Sequence, residues 1–123
     1  MTGNTILIAD DNQNIRDALT YLLEEEGYEI LLANDGADAL RKASLSRPDV
    51  LILDIMMPEI NGYDVCRMIK SNPELRDIHI IMLTAKGQAS EHERGKEAGA
   101  DEYVVKPFSP VDILTRIKKI LHK

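Results

Sequence analysis

Val50-Leu51-Ile52-Leu53-Asp54 is an unbroken apolar run that ends on a carboxylate. It does not alternate with polar residues, so a strand built from it must be covered on both faces. That is the pattern of a parallel sheet. Outward from this run, residues 5–9, 29–33, 78–83 and 102–105 are also rich in Ile, Leu and Val, and with 50–53 they make five predicted strands. The stretches between them carry helical spacing. Ile15, Ala18, Leu19, Leu22 and Leu23 form one apolar stripe. Val65, Cys66 and Ile69 repeat it, as do Ile113, Leu114, Ile117, Ile120 and Leu121, and Ala37, Leu40 and Ala43 do so more weakly. Gly27 and Gly99 fall where helix C-caps belong. Ser109 suits an N-cap, Pro110 a first helical turn, and Asp112 the positive end of that helix. Arg47-Pro48 and Asn72-Pro73 mark loops. Strand and helix thus alternate five times, which predicts an α/β domain with a parallel sheet between two helical layers. Residues 89–98 have few apolar anchors and predict a weakly held surface helix.

The composition bounds the function. The chain has 123 residues, 44% hydrophobic and 29% charged, with a net charge of −6. This is the size of one domain, expected to span 1–123 with no output domain. The acidic balance argues against direct nucleic-acid binding, which needs a basic face. Cys66 is the sole cysteine, so an intrachain disulfide is excluded and a reducing compartment fits. No apolar run approaches the ~20 residues of a membrane span, and no basic start with an apolar stretch marks a signal peptide. The expected setting is the cytoplasm.

In an open parallel sheet, ligands gather at the carboxyl ends of the strands. Asp10 and Asp11 follow the first run, Asn34 and Asp35 the second, Asp54 the third, Thr84 the fourth and Lys106 the fifth. Any one of these is explained by turn or cap chemistry, and Asp35 before Gly36 is read that way. Taken together they are not. At ~5 Å and an effective dielectric of about 20, each ionised carboxylate pair costs roughly 3 kcal/mol. Such a cluster calls for a cation, and hard oxygens without His or Cys favour magnesium or calcium. Metal, ammonium and hydroxyl together suit a phosphoryl group, and a carboxylate can be its acceptor. Other phosphate sites lack their residues. There is no Walker A sequence, and Asp10-Asp11-Asn12-Gln13-Asn14 stands where a dinucleotide fold needs glycines. That acidic loop would also repel a flavin phosphate. An aspartyl phosphatase of the haloacid-dehalogenase type would carry a second Asp at the position of Met56.

From about Thr5 to Leu121 the chain resembles the receiver domain of bacterial two-component response regulators. The likeness rests on Asp10-Asp11, on Leu53-Asp54-Ile55-Met56-Met57-Pro58-Glu59-Ile60-Asn61-Gly62, on Leu83-Thr84-Ala85 and on Gly99-Ala100-Asp101-Glu102-Tyr103-Val104-Val105-Lys106-Pro107-Phe108. The resemblance implies a doubly wound, flavodoxin-like, five-stranded parallel sheet of order 2-1-3-4-5. It implies that Asp54 is the phosphoacceptor, that Asp11, Asp54 and the Met56 carbonyl hold Mg2+, and that Asp10 acts through metal-bound water. Thr84 and Lys106 would grip the phosphoryl oxygens, and Lys106-Pro107 resembles a bond usually cis in the family. The donor would be a sensor histidine kinase or a histidine phosphotransfer protein, and the product would hydrolyse slowly.

Tyr103 matches the family's switch aromatic, with an ordinary strand tyrosine as the alternative. As a switch it would turn inward when Thr84 moves toward the phosphoryl group, altering the surface of the fourth helix, fifth strand and fifth helix for an output protein or domain. Asp101, Glu102 and Arg116 are candidates for ion pairs of a phosphorylation-linked homodimer, with scattered surface charge as the other reading. Met56 and Lys86 occupy positions that tune phosphoryl lifetime in the family. Ile15 and Phe108 fit either the core or a docking surface for the donor. Two rivals of other classes stand beside this reading: a receiver-shaped binding module that takes no phosphate, and an aspartyl-nucleophile phosphatase. The set Asp11, Asp54, Thr84 and Lys106 argues against the first, and Met56 against the second.

Overall fold

The structure is a computed structural model, and it describes residues 4–57, 60–84 and 96–121. Strands β1 (Thr5–Ala9), β2 (Glu29–Ala33), β3 (Val50–Asp54), β4 (His79–Thr84) and β5 (Glu102–Val105) form one sheet of order β2-β1-β3-β4-β5. Every pairing is parallel, as the buried runs require. Helices α1 (Gln13–Glu25), α2 (Gly36–Ser46) and α3 (Gly62–Ser71) and the C-terminal helix (Pro110–Leu121) flank it. The fold class and strand order are those expected.

Alternate strand positions face opposite layers. Leu7, Leu51, Leu53, Ile80 and Met82 join Ala39 and Ala43 of α2 and Val65, Cys66 and Ile69 of α3. Ile6, Ile8, Ile52 and Ile81 join Leu19 and Leu23 of α1 and Ile113 and Ile117 of the C-terminal helix. These side chains of β1, β3 and β4 are fully buried, so truncating one to Ala would cost about 2–5 kcal/mol.

Two strands differ from expectation by one residue, β3 at its end and β4 at both ends. β3 includes Asp54, whose ladder partner is Leu83. β4 starts at His79, because the Ile78 N–H is taken by the Leu75 carbonyl in the preceding turn, and it ends at Thr84. Both carboxyl-end shifts move a candidate site residue from a loop onto the rigid end of a strand. Ala18, counted in the apolar stripe of α1, is exposed. Gly27 and Gly99 have φ of 93° and 98°, the left-handed conformation of a helix C-cap. The predicted helix over 89–98 lies outside the described residues except for 96–98, which are helical and bury Ala98 against α3 by way of Cys66.

Candidate functional site

Among the described residues, the buried polar or charged side chains are Asp10, Asp54 and Thr84, and all three stand at the carboxyl edge of the sheet. Asp10 follows β1. Its N–H completes the ladder to the Ala33 carbonyl at 3.2 Å, and its Oδ1 accepts the Asn12 N–H at 2.8 Å. Asn12 in turn caps α1, its side chain accepting from the Ile15 N–H at 3.2 Å. Asp11, next in the same turn, is exposed. Asp54 ends β3, the central strand, and is 3% exposed. The backbone can turn sharply past it because residue 62 is glycine. A Cβ there would stand 2.5 Å from the Asp54 carbonyl oxygen and 2.7 Å from the Ile55 Cα.

Lys106 follows β5 and reaches across β4 to the acids. Its Nζ donates to Asp54 Oδ1 at 3.1 Å and lies 3.4 Å from Asp10 Oδ2. Its backbone N–H donates to the Thr84 carbonyl at 2.9 Å, which fixes where the side chain starts. The Lys106–Pro107 peptide bond is cis. Burial holds the Asp54 carboxyl above its ordinary value, the Asp10 carboxylate adds to this, and Lys106 offsets only part of it. Burial would depress the Lys106 ammonium, but the charges of Asp54 and Asp10 outweigh that and raise it.

The other candidates fall around this centre. Met56 directs its N–H to Asp54 Oδ1 at 3.3 Å and is 69% exposed. Thr84 ends β4 beside Val105 in the ladder. Tyr103, on β5, is half-buried against the core layer of α2 and α3, with its hydroxyl oxygen shielded from solvent. Lys86 and Ala85 lie outside the described residues. Asp101, Glu102 and Arg116 are each paired within the chain. Asp101 meets Lys70 at 2.9 Å, and Arg116 meets Glu102 at 2.8 Å and Asp112 at 3.3 Å. Cys66 is buried, and burial pushes its thiol up to about 11, so it is an inert core residue.

Asp10, Asp11 and Asp54 each offer a carboxylate oxygen within 4.8 Å of the other two. Asp10 Oδ2 is buried and accepts no hydrogen bond. Three carboxylates against one ammonium leave two negative charges, the charge that a divalent cation brings. An all-oxygen donor set with an unsatisfied buried oxygen fits a hard cation such as magnesium.

The carboxyl-edge geometry, on this sheet order, coincides with what comparison finds. The family model described as "Response regulator receiver domain" matches residues 6–118. The chain belongs to the response regulator receiver domain family. Its curated relatives include the alkaline phosphatase synthesis transcriptional regulatory protein PhoP of Bacillus subtilis, 41% identical over 96% of this chain and 48% of that protein. The chain spans about half the length of the curated relatives it matches. Among solved structures, a protein described as a response regulator from Chloroflexus aurantiacus superimposes with a TM-score of 0.91, at 38% identity over 99% of this chain and 100% of that one. The receiver domain of a sensor histidine kinase from Pseudomonas aeruginosa, solved with magnesium coordinated in its active-site cleft, superimposes with a TM-score of 0.89 at 29% identity over 99% and 100% of the two chains.

Sequence reading passed over two features of this receiver domain. Arg16, in the first turn of α1, donates from Nη1 to the Asp10 carbonyl at 2.7 Å. The second is the approach of α2 to the loop after β3, where a Cβ on Gly36 would stand 2.1 Å from the Ile60 carbonyl oxygen. Nothing local in the sequence marks it.

Proposed function

We propose that this receiver domain accepts a phosphoryl group on Asp54 from the phosphohistidine of a sensor kinase or phosphotransfer protein. The observation that carries the proposal is the placement of a buried carboxylate with one oxygen on Lys106 at 3.1 Å and two further acids within 4.8 Å. Asp10, Asp11 and Asp54, with the Met56 carbonyl, would hold magnesium. When bound, magnesium would balance the surplus charge of the acids and so let the negatively charged phosphoryl group approach them. The Asp54 carboxylate attacks phosphorus, the donor's N–P bond breaks, and the imidazole leaves. Lys106 and the Thr84 hydroxyl then hold phosphoryl oxygens, and Lys106 exchanges its bond to Asp54 for one to the new group. Hydrolysis of the acyl phosphate restores Asp54.

The donor is proposed to dock in the groove of about 570 Å3 between α1 and the Lys106–Pro110 loop, lined by Ile15, Ala18, Pro107 and Phe108. This gives the exposed Ala18 a role that core packing does not, while the half-buried Ile15 also packs against the core. The readout is proposed to run from Thr84, at the end of β4, to Tyr103, on the neighbouring strand β5 in register with Met82, and on to an output partner in the cytoplasm. The test is incubation with acetyl phosphate and magnesium, followed by intact mass. One phosphoryl group should be gained, and both a chelator and Asp54→Asn should prevent it. A wild type that gains nothing while binding magnesium would overturn the proposal in favour of a phosphorylation-independent binding module.

A further inference from the structure

The carbonyl of Asp10 lies past Ala9, the last paired residue of β1. Arg16 reaches back from α1 and supplies its donor at 2.7 Å. The contact closes a small unit. The Asn12 N–H bonds Asp10 Oδ1 at 2.8 Å, the Asn12 side chain caps α1 at the Ile15 N–H, and the Arg16 N–H bonds the Asn12 carbonyl at 3.1 Å. Asp10 is therefore held at its backbone N–H, its carbonyl and one side-chain oxygen, with Oδ2 left toward Lys106 and the other acids.

We propose that Arg16 is a positioning residue for cation binding. Its guanidinium, rooted in the first turn of α1 and bonded to the Asp10 carbonyl, fixes the turn that presents Asp10 and Asp11. This rests on the reading of the carboxyl edge as a magnesium site. Charge and position make opposite predictions, which allows a clean test. Arg16 is itself a cation beside the acids, so on charge alone its removal should tighten magnesium binding. On position its removal should loosen binding, by about tenfold, as for other groups that orient metal ligands without touching the metal.

The experiment is a calorimetric titration of the full chain with magnesium chloride, without phosphodonor, for wild type, Arg16→Met, Arg16→Gln and Arg16→Lys. Circular dichroism and thermal unfolding establish which variants fold. Arg16→Met is expected to bind about tenfold more weakly. Arg16→Gln tests the same direction should Arg16→Met fail to fold. Arg16→Lys keeps a charged donor and is expected within about threefold of wild type. A folded truncation that binds as tightly as wild type, or more tightly, overturns the inference and leaves the site reading standing. A wild type that takes up no magnesium overturns the site reading and the inference with it.

Discussion

At the amino edge of the sheet, His79 meets Glu102 at 2.8 Å, Glu102 meets Arg116 at 2.8 Å, and the Thr5 N–H donates to Asp49 at 2.9 Å. At the carboxyl edge, Asp10, Asp11 and Asp54 cluster around one ammonium, Lys106, which pairs with Asp10 and Asp54. Both edges expose the ends of the same five strands, so both need polar residues to finish the ladders. The amino edge does so with the Arg116–Glu102 ion pair and with hydrogen bonds that give each carboxylate a partner, partly exposed to water. The carboxyl edge buries like charges together and leaves one oxygen without a hydrogen bond. A matched pair is a stable end to a strand. A buried surplus of one sign is costly unless something absent from the chain balances it. The contrast separates the edge that holds the fold from the edge proposed to do the chemistry.

The largest expected effect lies at the carboxyl edge. Lys106→Met should slow phosphorylation by acetyl phosphate by about 100-fold, the usual cost of removing one preorganised donor to developing charge. Intact-mass time courses at saturating magnesium would show it, and a wild-type rate would erase the distinction between the edges. Next comes the cation. At one hundred times its dissociation constant, magnesium should stabilise the wild type by about 2.7 kcal/mol in chemical denaturation. Asp11→Ala should lose most of that gain, while Glu102→Gln should keep all of it.

These contrasts also show what a sequence can convey. The strands were legible because buried parallel strands read as continuous apolar runs, and the acids and Lys106 because each follows such a run directly. The roles of Asp54 and Tyr103 came only with the family likeness. Arg16 and the Gly36–Ile60 approach were not legible, because they depend on how far a side chain folds back and how closely two loops meet. The ion pair of Glu102 and Arg116 within the chain was hidden for the same reason.

A smaller effect concerns stability and pH. Asp54 is held above the ordinary carboxylate value by burial and by Asp10. A raised value in the folded state means that protonation favours folding. The contribution is present below the ordinary range and is lost as pH rises through the raised value. Asp54→Asn should therefore be more stable than wild type at neutral pH, on the order of 1 kcal/mol given partly compensated carboxylate repulsion. The gap should close as pH falls to the ordinary carboxylate range. Denaturant curves at neutral and acid pH check the sign, and a destabilised Asp54→Asn at neutral pH would mean that Lys106 already balances the cluster. The smallest effect belongs to the amino edge. Glu102→Gln should cost at most about 1 kcal/mol, shrink further in high salt, and leave phosphorylation unchanged.

The most direct test of the central claim is chemical mapping of the modified residue. After reaction with acetyl phosphate and magnesium, borohydride reduces an acyl phosphate to an alcohol, and peptide mass spectrometry locates the altered side chain. The account predicts homoserine at position 54, with Asp10 and Asp11 unaltered. Reduction at Asp10 or Asp11, or at no carboxylate in a protein that has gained phosphate, would contradict it.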